Sequence, residues 1–266
     1  GVAVTAVNQT FLGAHGTLTI TSIAAGTIGY SYTLTDNTSG DATSESFAIV
    51  VTDADGDPAS GNLVISIVDD VPVLVADTDA LGAGVFTPAT GNVLTGVGTT
   101  NGGADTLGAD GGAVVGVAQG ATGATLEAAA TINNVVNGLY GQLTVQSDGS
   151  YSYVRNANSQ GGVNDVFTYT VRDGDGDLVQ TALTINIADS GVTINLPTAG
   201  GAGTSVNEAG LPARPGESEG SAAAGNSETT SGSFSYVAVD GPAVVTIGGV
   251  AVTAVNQTFL GAHGTL

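Results

Sequence analysis

The eighteen residues Gly1 to Leu18, GVAVTAVNQTFLGAHGTL, recur without a change as Gly249 to Leu266, so the chain spans slightly more than one period of a 248-residue repeat. No other feature constrains the fold as much. An undiverged block is expected of a tandem array, and arrays build spacers, surfaces and fibres rather than single catalytic bodies. The sequence therefore reads as a window on something longer.

A weaker repeat lies inside the period. Phe47 to Asp69 aligns with Phe167 to Asp189 at a constant offset of 120, matching Val51 to Val171, Asp53, Asp55 and Asp57 to Asp173, Asp175 and Asp177, and Leu63, Ile65 and Ile67 to Leu183, Ile185 and Ile187. Further back, Gly16-Thr17-Leu18 echoes Gly141-Gln142-Leu143, and Tyr30-Ser31-Tyr32 echoes Tyr151-Ser152-Tyr153. Two related domains are expected to alternate along the array. The complete one covers residues 73–190. The other is split: residues 1–72 are its C-terminal part, and residues 191–266 are the N-terminal part of its next copy. Each part alone is expected to leave a sheet edge and half a core exposed.

Alternation of apolar and polar residues marks strands with one buried face, as in Phe167-Thr168-Tyr169-Thr170-Val171 and Leu183-Thr184-Ile185-Asn186-Ile187. Similar runs lie at 17–21, 30–34, 47–52, 63–68, 143–145, 151–154, 192–196, 234–239 and 250–255, separated by turn signals such as Asp148-Gly149 and Asp240-Gly241-Pro242. The one helix-like patch, Leu126 to Ala130, is too short to matter. Short strands at this spacing in units of about a hundred residues predict an all-β chain of tandem Ig-like or cadherin-like Greek-key β-sandwiches in an elongated array. The stretch 197–232, rich in Gly, Ser, Ala and Glu, is expected to be a long surface loop.

Charge narrows the partners. There are 24 acids against Arg155, Arg172 and Arg214 with no Lys, a formal net charge of −21, which argues against nucleic acid and against an anionic membrane. Cys is absent, so no disulfide forms, and no apolar run of about 18 residues is available to span a bilayer. The acids are concentrated in Asp53-Ala54-Asp55-Gly56-Asp57 and Asp173-Gly174-Asp175-Gly176-Asp177, each between the last two strands of its domain. Unit charges ~4 Å apart repel by roughly 4 kcal/mol at an effective dielectric near 20, so such loops need solvent or a cation. Calcium, a hard ion taking about six to eight oxygens, suits them.

In a sandwich the loop before the last strand faces the preceding domain. Asp69 and Asp70 would then meet Asp173, Asp175 and Asp177 at one joint, with Asp77 and Asp79 closing the shell. By symmetry Asp189 and Glu208 would meet the next copy of the Asp53 loop. The alternative is that these are solvated turn residues. Neither loop is an EF-hand: Gly stands fourth rather than sixth, and the twelfth position holds Val64 or Thr184 in place of Glu. Gly216-Glu217-Ser218-Glu219-Gly220 fits the nucleophile-elbow spacing but lacks a preceding strand, and the two histidines, His15 and His263, occupy one repeated position, so no hydrolase is expected. Gly102 to Asp110 has the look of a single calcium-binding nonapeptide, which one copy cannot stack into a roll, and it is read as a turn.

The runs GNVLTG at 91–96, YGQLTVQSDGSYSYV at 140–154 and DVFTYTVRDGDGDLVQTALTINIAD at 165–189 resemble VCBS and cadherin-like repeats of giant bacterial adhesins secreted by type I systems. SFAIVVTDADGDPASGNLVISIVDDVP at 46–72 and VNEAGLPAR at 206–214 resemble a companion repeat of the same proteins. The resemblance implies an extracellular location, at a bacterial cell surface or in a biofilm matrix, and calcium at domain joints that stiffens a stalk. It points to Asp53, Asp55, Asp57, Asp69, Asp70, Asp173, Asp175, Asp177 and Glu208. Asp189-Ser190-Gly191 departs from the pattern, lacking the paired acid and the proline.

The expectation is a non-enzymatic extender whose partners are neighbouring repeats or other copies of the chain. Two alternatives stand beside it. One is a filament subunit completed between chains by strand exchange; the other is a module binding surface or matrix polysaccharide through the loop around Arg214.

Overall fold

The computed structural model describes residues 1–38, 40 and 43–266. They form two compact units: 1–80, 87–155 and 164–186 in one, and 81–86, 156–163 and 187–266 in the other. Among the described residues the only helical turns are 3-10 turns at Ala129–Thr131 and Glu208–Gly210; the rest of the regular structure is β.

In the first unit, β1 (Thr10–Leu12), β2 (Gly16–Ala24) and β3 (Thr27–Leu34) form a three-stranded antiparallel sheet, and β4 (Thr43–Thr52) and β5 (Pro58–Ile67) an antiparallel pair that sets Phe47 opposite Leu63. Eight strands follow: β6 (Asp77–Leu81), β7 (Ala89–Asn92), β8 (Gly112–Gln119), β9 (Val135–Asn137), β10 (Gly141–Val145), β11 (Ser150–Arg155), β12 (Val163–Asp173) and β13 (Leu178–Ile187). They make two four-stranded sheets, ordered β7-β11-β10-β9 and β6-β13-β12-β8. This is the immunoglobulin-type division, with the second, fourth and fifth core strands on one face and the third, sixth and seventh on the other.

Period-two alternation turns Leu143, Val145, Tyr151 and Tyr153 of one sheet inward with Phe167, Tyr169, Val171, Leu183 and Ile185 of the other, all buried. Tyr153 and Phe167 meet edge to face across the sandwich, ring centroids 6.0 Å apart. β12 is buried on both faces. On its outer side Thr168 Oγ1 accepts from Thr122 N (3.0 Å) and Thr170 Oγ1 from Leu126 N (2.8 Å), which pins the 120–128 segment over the strand.

The internal repeat extends to a buried acid that the strand pattern did not reveal. Asp165 Oδ1 accepts from Leu139 N (3.0 Å), and its Oδ2 accepts from Tyr140 N (3.0 Å) and Tyr153 OH (2.8 Å). At the matching position Glu45 accepts from Ala14 N, from His15 N (3.0 Å) and from Tyr32 OH (2.8 Å). Both acids are buried. Each locks the turn ahead of a strand to the aromatic of the next strand, and the ring pair recurs as Tyr32 and Phe47 at 6.2 Å. The close approach explains two glycines: a Cβ would lie 2.2 Å from Glu45 Cδ at Gly13 and 2.3 Å from Asp165 Oδ2 at Gly138.

The two halves of this repeat differ in what covers them. β11 is flanked by β7, β12 by β8 and β13 by β6, whereas β3, β4 and β5 have no such neighbours among the described residues. Tyr30 is 47% exposed where Tyr151 is 4%, Ile49 41% where Tyr169 is 1%, and Val51 65% where Val171 is 0%.

In the second unit, β14 (Val192–Asn195) pairs antiparallel with β15 (Ser235–Ala238), and β16 (Thr246–Ile247) with β17 (Val250–Ala251). The expected strand at 250–255 is thus cut to two residues. Between β14 and β15 runs the expected irregular stretch, carrying one 3-10 turn capped by Asn207 Oδ1 on Ala209 N (2.9 Å). No large apolar side chain between 192 and 266 is buried.

Because Asp165 satisfies two backbone amides and a hydroxyl in the core, Asp165→Ala orphans three donors. It is expected to cost about 3 kcal/mol of stability, read as a lower midpoint in urea unfolding, while Asp148→Ala in an exposed turn changes little.

Candidate metal centre

The two acidic loops share one local geometry. Asp173 Oδ1 accepts from Gly176 N (2.9 Å) and Asp177 N (2.7 Å), and Asp173 N donates to Asp177 O (3.2 Å); Asp53 repeats the pattern with Gly56 N (3.1 Å), Asp57 N (2.9 Å) and Asp57 O (3.2 Å). The loop closes through glycine at φ 121° in Gly176 and 103° in Gly56, a region side chains avoid. Turning one carboxylate oxygen onto the backbone aims the other away from it.

Surroundings separate the loops. Asp53, Asp55 and Asp57 converge within 4.8 Å but are exposed, and none of their oxygens is buried without a partner. The hydrogen bond with Asp55, then the amide of Asp57, holds the Asp53 carboxyl below its ordinary range. In the second loop Asp173, Asp175 and Asp177 converge, and Asp175 also belongs to a group with Asp69 and Asp110. Asp175 therefore links five carboxylates.

Three oxygens of this cluster, Asp69 Oδ2, Asp173 Oδ2 and Asp175 Oδ1, are buried and accept no hydrogen bond. Asp173 as a whole is 5% exposed. Asp175 Oδ2 is held by Gly40 N at 3.0 Å, which keeps that carboxyl low, and Asn37 Nδ2 donates to Asp110 Oδ1. Burial pushes the Asp69 and Asp173 carboxyls up, and the Asp175 charge beside each adds to it. Buried acceptors with no donor, crowded by like charge, are what a divalent cation corrects. Each group of three carboxylates offers the hard oxygens that such a cation takes. The residues present could hold a metal ion in two overlapping groups, Asp69 with Asp110 and Asp175, and Asp173 with Asp175 and Asp177.

The other expected ligands lie elsewhere. Asp70 Oδ2 accepts from Ala109 N (3.1 Å), fastening the chain after β5 to the segment that carries Asp110. Asp77 and Asp79 are inward-facing residues of β6, buried between the sheets. Asp79 is fully partnered by Tyr151 OH (2.7 Å), Thr100 Oγ1 (3.2 Å) and Ala80 N (2.7 Å). Asp77 Oδ2 accepts from Tyr169 OH (3.1 Å) while Oδ1 is buried without a partner, and burial pushes its carboxyl up to about 6. Asp189 and Glu208 are exposed and belong to no group of three acids among the described residues. Arg214 pairs with Glu217 at 2.7 Å on the surface.

Asp110 is the member of these groups that the sequence did not single out. It sits two residues before β8, whose first residue Gly112 lies opposite Asp173. Only the β8–β12 pairing brings it to the loop, and nothing local in the sequence announces that pairing.

No protein-family model matches the chain, and no curated protein matches it. Among solved structures it is similar to the protocadherin gamma B2 extracellular cadherin domains 3-6, at 13% identity and a TM-score of 0.26, over 76% of this chain and 47% of that one. The chain thus spans under half the length of that structure, and no residue role is carried across.

No helix is long and apolar enough to cross a membrane among the described residues.

Two outcomes follow from the geometry. Asp175→Ala, which breaks both groups, is expected to lower calcium affinity by at least about tenfold in isothermal titration, whereas Asp70→Ala changes it far less. Asp77 is protonated up to about pH 6 when folded but ionises near 4 when unfolded. Its contribution is therefore complete below pH 4 and is lost as pH rises to about 6, by roughly 2 to 3 kcal/mol. Asp77→Asn should flatten that slope in melting temperature measured from pH 4 to 7.

Proposed function

We propose that the chain is a non-enzymatic extender segment of a calcium-stiffened surface adhesin or extracellular matrix fibre. The observation that carries this reading is the five-carboxylate cluster with three buried, unpartnered oxygens. Its members come from both sides of Pro72: Asp69 from the segment after β5, Asp110 from before β8, and Asp173, Asp175 and Asp177 from the β12–β13 loop. On this reading residues 1–72 and 73–190 belong to successive domains and the cluster is their joint. The unchanged 248-residue repeat supports a structural role, since an array gains length and spacing from copies that need no individual chemistry.

The mechanism is a population shift. With the site empty, like charges at Asp69, Asp173 and Asp175 push the two segments apart. A cation that accepts oxygens from both binds the docked joint better than the open one, and restricts bending in proportion to that difference. The net charge of −21 keeps such a protein soluble at high copy and gives it no basic face for nucleic acid. Location at a bacterial surface or in a biofilm matrix, and export by a type I system, belong to the same proposal and rest on the sequence resemblance.

Small-angle scattering of a tandem protein of two 248-residue periods tests it. The maximum dimension is expected to shorten and the profile to lose its rod-like character when calcium is chelated. An unchanged profile would reduce the aspartates to solvated turns.

A further inference from the structure

At two acids of the cluster a neutral donor takes one carboxylate oxygen and leaves the other bare. Asp173 Oδ1 is taken by the amides of Gly176 and Asp177, and Asp175 Oδ2 by the amide of Gly40 at 3.0 Å. In both residues the second oxygen is buried with no partner. At Asp110 the donor is a side chain: Asn37 Nδ2 donates to its Oδ1. Among the described residues Asn37 is the one side-chain amide that reaches the cluster.

Asn37 and Gly40 both belong to the segment between β3 and β4. It is tied down on either side of them. Thr35 N and Asp36 N donate to His15 O (2.9 and 3.2 Å), and Thr43 Oγ1 donates to Gly40 O (3.1 Å). Held in this way, one segment presents two donors to two acids from different places, Asp110 ahead of β8 and Asp175 in the β12–β13 loop. Those acids are two of the three members of the group completed by Asp69. Asn37 itself is exposed and enters no core, so the fold does not depend on where its amide points.

We propose that Asn37 is a positioning residue of the candidate cation site: by holding Asp110 Oδ1 it fixes the carboxylate and leaves its second oxygen for an ion. The inference rests on reading the cluster as a calcium site, and names a residue outside the acids that tunes it. Partners that orient a ligand are worth about tenfold or more in metal affinity although they never touch the metal. A neutral amide also suits the position electrostatically. It satisfies one oxygen of a crowded acid without adding charge, whereas Lys or Arg there would compete with the cation for the same carboxylates.

Calcium titration of the full chain by calorimetry tests this, with Asn37→Ala, Asp110→Ala and the double variant closing a cycle. Asn37→Ala is expected to weaken binding by about tenfold on its own and to change it little once Asp110 is replaced, because its effect is exerted through that carboxylate. Asp110→Ala leaves Asp173, Asp175 and Asp177 in place, so binding stays measurable in both backgrounds. Urea midpoints in chelator are expected to coincide for the wild type and Asn37→Ala, since the side chain is exposed; a lowered midpoint would mark a structural residue and count against the assignment. Unaltered affinity in Asn37→Ala, or an equal loss in both backgrounds, would overturn it while leaving the calcium reading standing. A wild-type chain that takes up no calcium would overturn both.

Discussion

A carboxylate taken out of water must be met by donors, and this chain has few to offer. With no lysine and three arginines against 24 acids, most of the available donors are backbone amides, hydroxyls and the side-chain amides of Asn and Gln. The structure sorts its buried acids by how completely those donors reach them. Asp165, Glu45 and Asp79 are met by amides and a tyrosine each, and hold turns and sheets together. Asp77 is half met, and its carboxyl rises to about 6. At Asp69, Asp173 and Asp175 one oxygen apiece is met by nothing in the protein. The first group makes the fold, and the last makes the candidate calcium site.

The tyrosines are central to this division. In each half of the internal repeat the aromatic packs edge to face against a phenylalanine while its hydroxyl reaches a buried acid, so one side chain serves both the apolar core and the polar lock. Burial raises the Tyr32 hydroxyl to about 12, with the Glu45 carboxylate adding to it, so it stays a donor at any physiological pH. The lock is insensitive to conditions; the acid cluster, crowded with like charge, is the part a cation can control.

Several features were legible in the sequence. Period two placed most strands of the two repeats, and the offset of 120 matched their acidic loops, which share one hydrogen-bonded turn. The offset also carries Glu45 onto Asp165, and Gly13-Ala14-His15-Gly16 lines up with Gly138-Leu139-Tyr140-Gly141, so the buried lock could have been found from the same alignment. β6 escaped because its inward positions are Asp77 and Asp79, which invert the apolar-in pattern; their burial depends on Tyr169 and Tyr151 arriving from elsewhere. β8 escaped because its glycines and alanines carry little periodic signal.

Alternation, repetition and charge are properties of neighbours along the chain, and the sequence by itself determined the all-β class, the internal repeat, the turn geometry of both acidic loops and the chain's bias toward cations. Which acids share a site depends on strand pairing between distant segments, and only the tertiary structure decided it. Asp110 joins Asp173 because Gly112 pairs opposite it, and Asp69 joins because the chain after β5 is fastened at Asp70 to Ala109. The Asp53 and Asp173 loops are nearly the same in sequence and turn, yet one is open to water and the other buried among acids, because burial is set by what packs over a loop.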